Sequence, residues 1–187
     1  MAMRIIVGIS GASGTVYGVA VLRALQAAGV ETHLVLSQGA TRTMALETPF
    51  TPEEVASYAS VVHDVHNLAA SISSGSFRTD GMVVVPCSMK SAGFIAHALN
   101  SDLLTRAADV CLKERRRLVL VIRETPLHLG HLRTLTQLAE IGAIILPPIP
   151  AMYAQPQSVD DIIAHTTGKV LDQLGIDNAH FRRWQGA

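Results

Sequence analysis

The stretch Arg4 to Thr15, RIIVGISGASGT, constrains this chain more than any other. An apolar run from Ile5 to Ile9 breaks off into Gly, Ser and Ala, and a helical pattern begins near Val16, which reads as a buried parallel strand turning into a helix. Helix N-termini leave backbone N–H groups unpaired and carry partial positive charge, so such a turn is where a β/α protein holds phosphate. Gly8, Gly11 and Gly14 supply room, and Ser10, Ser13 and Thr15 supply hydroxyls. The spacing is G-x-x-G-x-x-G, neither the dinucleotide G-x-G-x-x-G nor the triphosphate loop G-x-x-x-x-G-K-[ST], and it points to a mononucleotide or a small phosphoester. A tight turn without ligand explains the loop equally well.

The same alternation continues along the chain. A helix with Val19, Leu22 and Leu25 on one face stops at Gly29, and a second strand, Glu31 to Leu36, ends at Ser37. A dinucleotide fold would carry an acid there for the ribose. Ser37 is therefore either a ligand contact or the cap of a helix predicted over Gln38 to Glu47, with Met44 and Leu46 facing inward. Thr51-Pro52 opens another helix, and Ala69 to Arg78 is a small-residue surface loop. Met82 to Pro86 is a third buried strand, and Ser88, Met89, Lys90 and Ser91 open the helix after it, a second anion-favouring edge that N-capping by Ser88 explains in part. Leu103 to Arg117 is amphipathic, and Arg115 to Arg117 read as a solvated complement to its C-terminus. A fourth strand, Leu118 to Ile122, runs into Arg123-Glu124, charges that are used in function or pin the turn as an ion pair.

A helix from His128 to Ile141 follows, whose His128 and His131 are cap or surface residues rather than half of a metal site. Ala143 to Leu146 is the fifth strand, and the proline-rich Pro147 to Pro156 sets a rigid path that carries Tyr153. Ser158 and Asp160 cap a last helix through Leu174 that bears Lys169, and Trp184 is expected to pack on a neighbouring surface. The predicted fold is α/β, a doubly wound Rossmann- or flavodoxin-like parallel sheet in a single domain over 1–187. Ligands then bind at the carboxyl strand ends, onto which the loops after Ile9, Leu36, Val85, Ile122 and Leu146 open.

Composition narrows the partners. Fifteen basic side chains balance fifteen acidic ones, leaving no field to recruit nucleic acid or an anionic membrane. A mean hydropathy of +0.32 without any bilayer-length apolar run suggests surfaces buried between subunits. Met1 to Arg4 leads straight into the first strand with no room for a secretory leader, and Cys87 and Cys111 lack metal or redox spacing, so a cytoplasmic protein with reduced thiols is expected.

Taken together, the loops resemble those of the UbiX-type flavin prenyltransferases, within the homo-oligomeric flavin-containing cysteine decarboxylase fold. The matching motifs are GISGASG at Gly8–Gly14, SGSF at Ser74–Phe77, PCSMK at Pro86–Lys90, RAADVCLKERR at Arg106–Arg116, RETPL at Arg123–Leu127 and PPIPAMY at Pro147–Tyr153. The resemblance implies an enzyme that joins a dimethylallyl group from dimethylallyl phosphate to N5 and C6 of reduced FMN without a metal, making the prenylated FMN used by a UbiD-type decarboxylase. It implies FMN contacts at Gly11, Ala12, Ser13, Ser37, Ser88, Met89, Lys90, Ser91 and Arg123, and catalytic roles for Glu47, Lys113, Glu124 and Tyr153. Arg106, Lys113, Tyr153 and Lys169 are implied to bind the prenyl phosphate, in a homo-oligomer, a dodecamer, whose contacts use the C-terminal helix and tail.

This chain departs from the family pattern at Ser91, Ala92-Gly93, Met152 and Lys169, and the last keeps the charge but loses the bidentate fork of arginine. A flavin-dependent peptidyl-cysteine decarboxylase on the same fold is the rival enzyme, but its P-x-M-N-x-x-M-W-type motif is absent. A non-catalytic FMN-binding subunit leaves Lys113, Glu124, Tyr153 and Lys169 without a task.

Overall fold

The structure, a computed structural model, describes residues 3–186. The expected domain limits at Met1 and Ala187 lie outside them. Six strands form one parallel sheet: β1 (Arg4–Ile9), β2 (Glu31–Leu36), β3 (Val61–His63), β4 (Gly81–Cys87), β5 (Arg117–Ile122) and β6 (Ile144–Ile145), in the order β3-β2-β1-β4-β5-β6. The chain winds outward from β1 to β3 and then returns to lay β4 beside β1, so the order reverses between β1 and β4. That reversal opens the crevice where doubly wound sheets hold ligands.

Alternation along the strands fixes the layers. Ile5, Val7, Ile9, Val83, Val85, Val119 and Val121 face one way, under α1 (Thr15–Ala27), α2 (Gln38–Glu47), α3 (Pro52–Ala56) and α7 (Val159–Leu174). Ile6, Met82, Val84, Leu118, Leu120 and Ile122 face the other, under α4 (Met89–Ala96), α5 (Leu103–Lys113) and α6 (Leu129–Glu140). A sheet covered on both sides needs apolar side chains at every position of its central strands, and β4 is buried throughout.

The structure corrects four expectations. The described residues form six strands rather than five, because β3 is a three-residue edge strand whose Val61 and Val62 lie open, leaving no apolar run to see. Met44 is buried, but Leu46 is 86% exposed, since two residues along a helix turn the side chain to the other face. The helix expected through Arg117 ends at Lys113, and Arg117 already opens β5. Arg116 is not solvated: it is half-buried and donates to the carbonyls of Gly75 and Phe77, at 2.6 and 2.9 Å, fastening the 74–77 loop. No helix among the described residues is long and apolar enough to cross a membrane.

Candidate active site

At the switch point the loops after β1 and β4 are clasped by one hydroxyl. Ser10 Oγ donates to the Pro86 carbonyl at 2.9 Å and accepts the Ser88 N–H at 2.7 Å, and the residue is buried. The sequence assigns Ser10 only a hydroxyl for the loop, and a serine directly after an apolar strand is the one signal of this role. Behind it, the first loop packs backbone to backbone on the start of α2. A Cβ on Gly11 would stand 2.8 Å from Gly39 Cα, and one on Gly39 would stand 3.0 Å from Gly11 Cα. Gly11→Ala should therefore lower stability by about 1–3 kcal/mol, because backbone has to move, and the melting temperature should fall by several degrees. An unchanged melting temperature would show that the two loops part freely.

Two helices begin in this crevice. α1 has Gly14 as its N-cap at φ +93°, with no side-chain cap, and the hydroxyl of fully buried Thr15 has no partner. α4 is capped by Ser88, whose Oγ accepts the Ser91 N–H and donates to Ser91 Oγ, both at 3.2 Å. Ser37 caps α2 by accepting the Ala40 N–H at 3.0 Å, and it lies at the carboxyl end of β2. Ala12 is buried and Ser13 and Met89 are half-buried beside them, while Lys90 stays exposed, its ammonium 6.0 Å from the Phe94 ring.

Charge converges on the same edge. The Arg123 backbone N–H donates to the Cys87 carbonyl at 3.1 Å, and its side chain is exposed without an ion pair among the described residues. Its charge reaches Tyr17 on the first turn of α1: burial raises the Tyr17 pKa, and Arg123 acts against that rise. Glu124 accepts the N–H of Thr125 at 3.0 Å rather than pairing with Arg123, so an ion pair pinning the turn is not what holds this segment. Glu47, at the end of α2, reaches back and accepts the Gly14 N–H at 2.7 Å, which sets an acid at the mouth of the first loop. Uncapped helix start, orphaned hydroxyl, capped second helix and unpaired guanidinium together suit the phosphate of a mononucleotide such as FMN.

The remaining predicted residues lie elsewhere in the chain. Arg106 donates to the Ser73 carbonyl at 3.1 Å and pairs with Asp109 at 2.8 Å. Lys113 pairs with Glu114 at the end of α5, close to Arg117 where β5 begins, and that is the amino edge of the sheet. Six strand residues at about 3.3 Å each put Arg117 roughly 20 Å from Arg123. Tyr153, in a single 3₁₀ turn over Met152–Ala154, hydrogen-bonds His165 of α7 at 3.3 Å, and Lys169 follows one turn later with its ammonium 5.8 Å from the Phe181 ring. Trp184 sets its edge against Tyr153, with ring centroids 5.9 Å apart. One chain thus brings together the predicted FMN residues with Glu47 and Glu124, and separately Tyr153 with Lys169. Among the described residues no ion pair joins the two groups.

Other expected features resolve plainly. His128 is the N-cap of α6, accepting from Gly130 and His131 N–H groups, with the centroids of the two imidazoles 3.6 Å apart and their planes tilted by 32°. Ser158 caps α7 through a reciprocal box with Asp161 rather than with Asp160. Burial pushes both cysteine thiols up to about 12, so neither Cys87 nor Cys111 offers a thiolate near neutral pH. No group of three or more His, Cys, Asp or Glu side chains among the described residues is placed to hold a metal ion.

Comparison with known proteins settles the family. The model of the flavoprotein family matches residues 1–171. The flavin prenyltransferase UbiX of Escherichia coli strain K12 is 59% identical over 187 residues, covering 98% of this chain and 99% of that protein. The chain belongs to the UbiX-type flavin prenyltransferases. Among solved structures, AnUbiX (PadA1) in complex with FMN and dimethylallyl pyrophosphate superposes with a TM-score of 0.98 at 48% identity, over the whole of both chains. The dodecameric FMN-dependent UbiX-like decarboxylase from Escherichia coli O157:H7 follows at a TM-score of 0.96 and 50% identity, covering 98% of this chain and 100% of its own. The flavodoxin-like fold and the family expected from the six motifs are both borne out.

Proposed function

We propose that this family member transfers a dimethylallyl group from dimethylallyl phosphate to N5 of reduced FMN and closes a fourth ring at C6. The observation that carries the reading is the phosphate-fitting crevice at the β1/β4 reversal, in a chain that matches along its full length a structure holding FMN and a prenyl donor. Gly11, Ala12 and Ser13 at the start of α1, Ser88 to Ser91 at the start of α4, Ser37 and Arg123 would hold FMN by its phosphate and flanking edge. FMN supplies the nucleophilic carbon and nitrogen; the chain orients it and stabilises the leaving group.

Departure of phosphate from an allylic carbon gathers negative charge on oxygen, which Lys113, Lys169 and Arg106 would balance and the Tyr153 hydroxyl would meet as a donor. For the second bond the prenyl double bond takes up a proton, C6 bonds to the tertiary carbon so formed, and the proton lost from C6 passes to Glu124 or to the departing phosphate, with Glu47 at the same edge. Because Lys113 lies about six strand residues below Arg123, and Lys169 roughly 15 Å along α7 from Ser158, the donor end is completed by other copies of the chain.

Exposed Leu46, Ile149, Met152 and Val159 are surfaces that such an assembly would cover, and we read it as a dodecamer whose contacts use α7 and the tail. Within the chain the tail folds back on α7 through Arg183 and Asp172, paired at 2.7 Å. The product would be handed to a UbiD-type decarboxylase in the cytoplasm.

The direct test is anaerobic incubation of reduced FMN with the protein and either dimethylallyl phosphate or its pyrophosphate. The flavin should gain the mass of one prenyl group and a changed absorbance. An unaltered flavin with both donors would refute the activity. On the flavin side, Arg123→Ala should raise the dissociation constant for FMN roughly tenfold, the effect of removing one charge-assisted contact. An unchanged constant would remove Arg123 from the site.

A further inference from the structure

His165 is the polar partner of Tyr153, and nothing in the sequence motifs assigns it a task. It stands half-buried on α7 with its Nε2 3.3 Å from the Tyr153 hydroxyl. Its ring meets the rings of Tyr153 and Phe181 edge-on, with centroids 6.1 and 4.7 Å away. It borders a cavity of about 300 Å³. The charged and titratable groups around it are Asp161 and Lys169 on its own helix, Tyr153 on the turn above, and His180 and Arg182 on the tail. Asp172, a turn beyond Lys169, is already engaged by Arg183.

The hydrogen bond between Tyr153 and His165 can run in two senses. If the imidazole carries its proton on Nδ1, Nε2 accepts the phenol O–H, and that hydroxyl has no proton to offer an anion. If Nε2 carries a proton it donates to the phenol oxygen, and the O–H turns outward, strengthened by the donor behind it. An anion beside Lys169 selects the second sense and favours the imidazolium. In the free chain, burial and the charge of Lys169 both hold the His165 pKa below its ordinary value. Binding then reverses that balance.

We propose that His165 is a positioning residue for the donor end of the site: it aims the Tyr153 hydroxyl at the prenyl phosphate and takes up a proton as the phosphate binds. The inference rests on the reading that Tyr153 and Lys169 receive that phosphate. In the whole oligomer loaded with FMN, calorimetric titration of dimethylallyl phosphate near pH 7.5, in buffers of different ionisation enthalpy, measures the protons taken up. The wild type should take up a fraction of a proton beyond that due to the phosphate itself, whose second pKa is about 6.

His165→Gln keeps an N–H donor toward Tyr153 but cannot titrate, and should lose the extra uptake. His165→Leu should lose the uptake and also raise KM for dimethylallyl phosphate roughly tenfold, with kcat falling less and FMN affinity intact. His165→Gln should recover most of the KM loss. A wild type that neither binds dimethylallyl phosphate nor alkylates FMN overturns the proposed function and this inference with it. An active wild type whose proton uptake and KM are matched by His165→Leu overturns this inference alone.

Discussion

Lys113→Ala should lower kcat for flavin alkylation by roughly a hundredfold to a thousandfold and leave FMN affinity unchanged. Removing one preorganised positive group from a developing oxyanion has that order of effect in a water-excluded site. In the free chain the ammonium is exposed and paired with Glu114, and that pairing holds the Glu114 carboxyl below the usual carboxylate range. Exposed pairs of this kind contribute little, so Glu114 can yield Lys113 to a phosphate dianion at little expense in stability.

The neighbouring Arg116 makes the contrast. Its guanidinium is committed to the carbonyls of Gly75 and Phe77, so Arg116→Ala should depress the melting temperature and disturb the 74–77 loop. Comparing the two variants by unfolding and by single-turnover chemistry separates their roles. A Lys113→Ala protein that melts early yet alkylates FMN at the wild-type rate would reverse the assignment.

What the sequence discloses depends on whether a feature is local. The turn from Ile9 through Gly14 into α1 was legible because an apolar run, a glycine spacing and a helical period all lie within a dozen residues. The caps at Ser37, Ser88 and Ser158 were legible for the same reason. β3 was not, since an exposed three-residue edge strand is recognised only by its partner β2. Arg116 was read as solvated because its acceptors lie some forty residues away in the sequence, on a loop without periodicity. Gly39 was missed because its reason for being glycine is the backbone of Gly11. The motifs named Lys113, Tyr153 and Lys169 as one group with Glu124, but only the fold reveals that α5 ends at the amino edge while Glu124 sits on the opposite one.

The central proposal is that the flavin half of each site and the phosphate half belong to different chains. Arg123 and the starts of α1 and α4 crowd one sheet edge, whereas Lys169 stands well along α7, its ammonium turned to Phe181 of the tail. Chains carrying Arg123→Ala have a damaged flavin half, and chains carrying Lys169→Ala have a damaged phosphate half. Co-expressing the two with different affinity tags and purifying through both tags yields mixed oligomers. With random placement, about one site in four then combines the intact flavin half of one chain with the intact phosphate half of another. At an FMN concentration that leaves the Arg123→Ala oligomer almost empty, the mixed oligomers should regain roughly that share of wild-type product, while each variant alone makes almost none. Mixed oligomers that stay as inactive as their parents, with mixing verified by both tags, would place the whole site within a single chain and contradict the account.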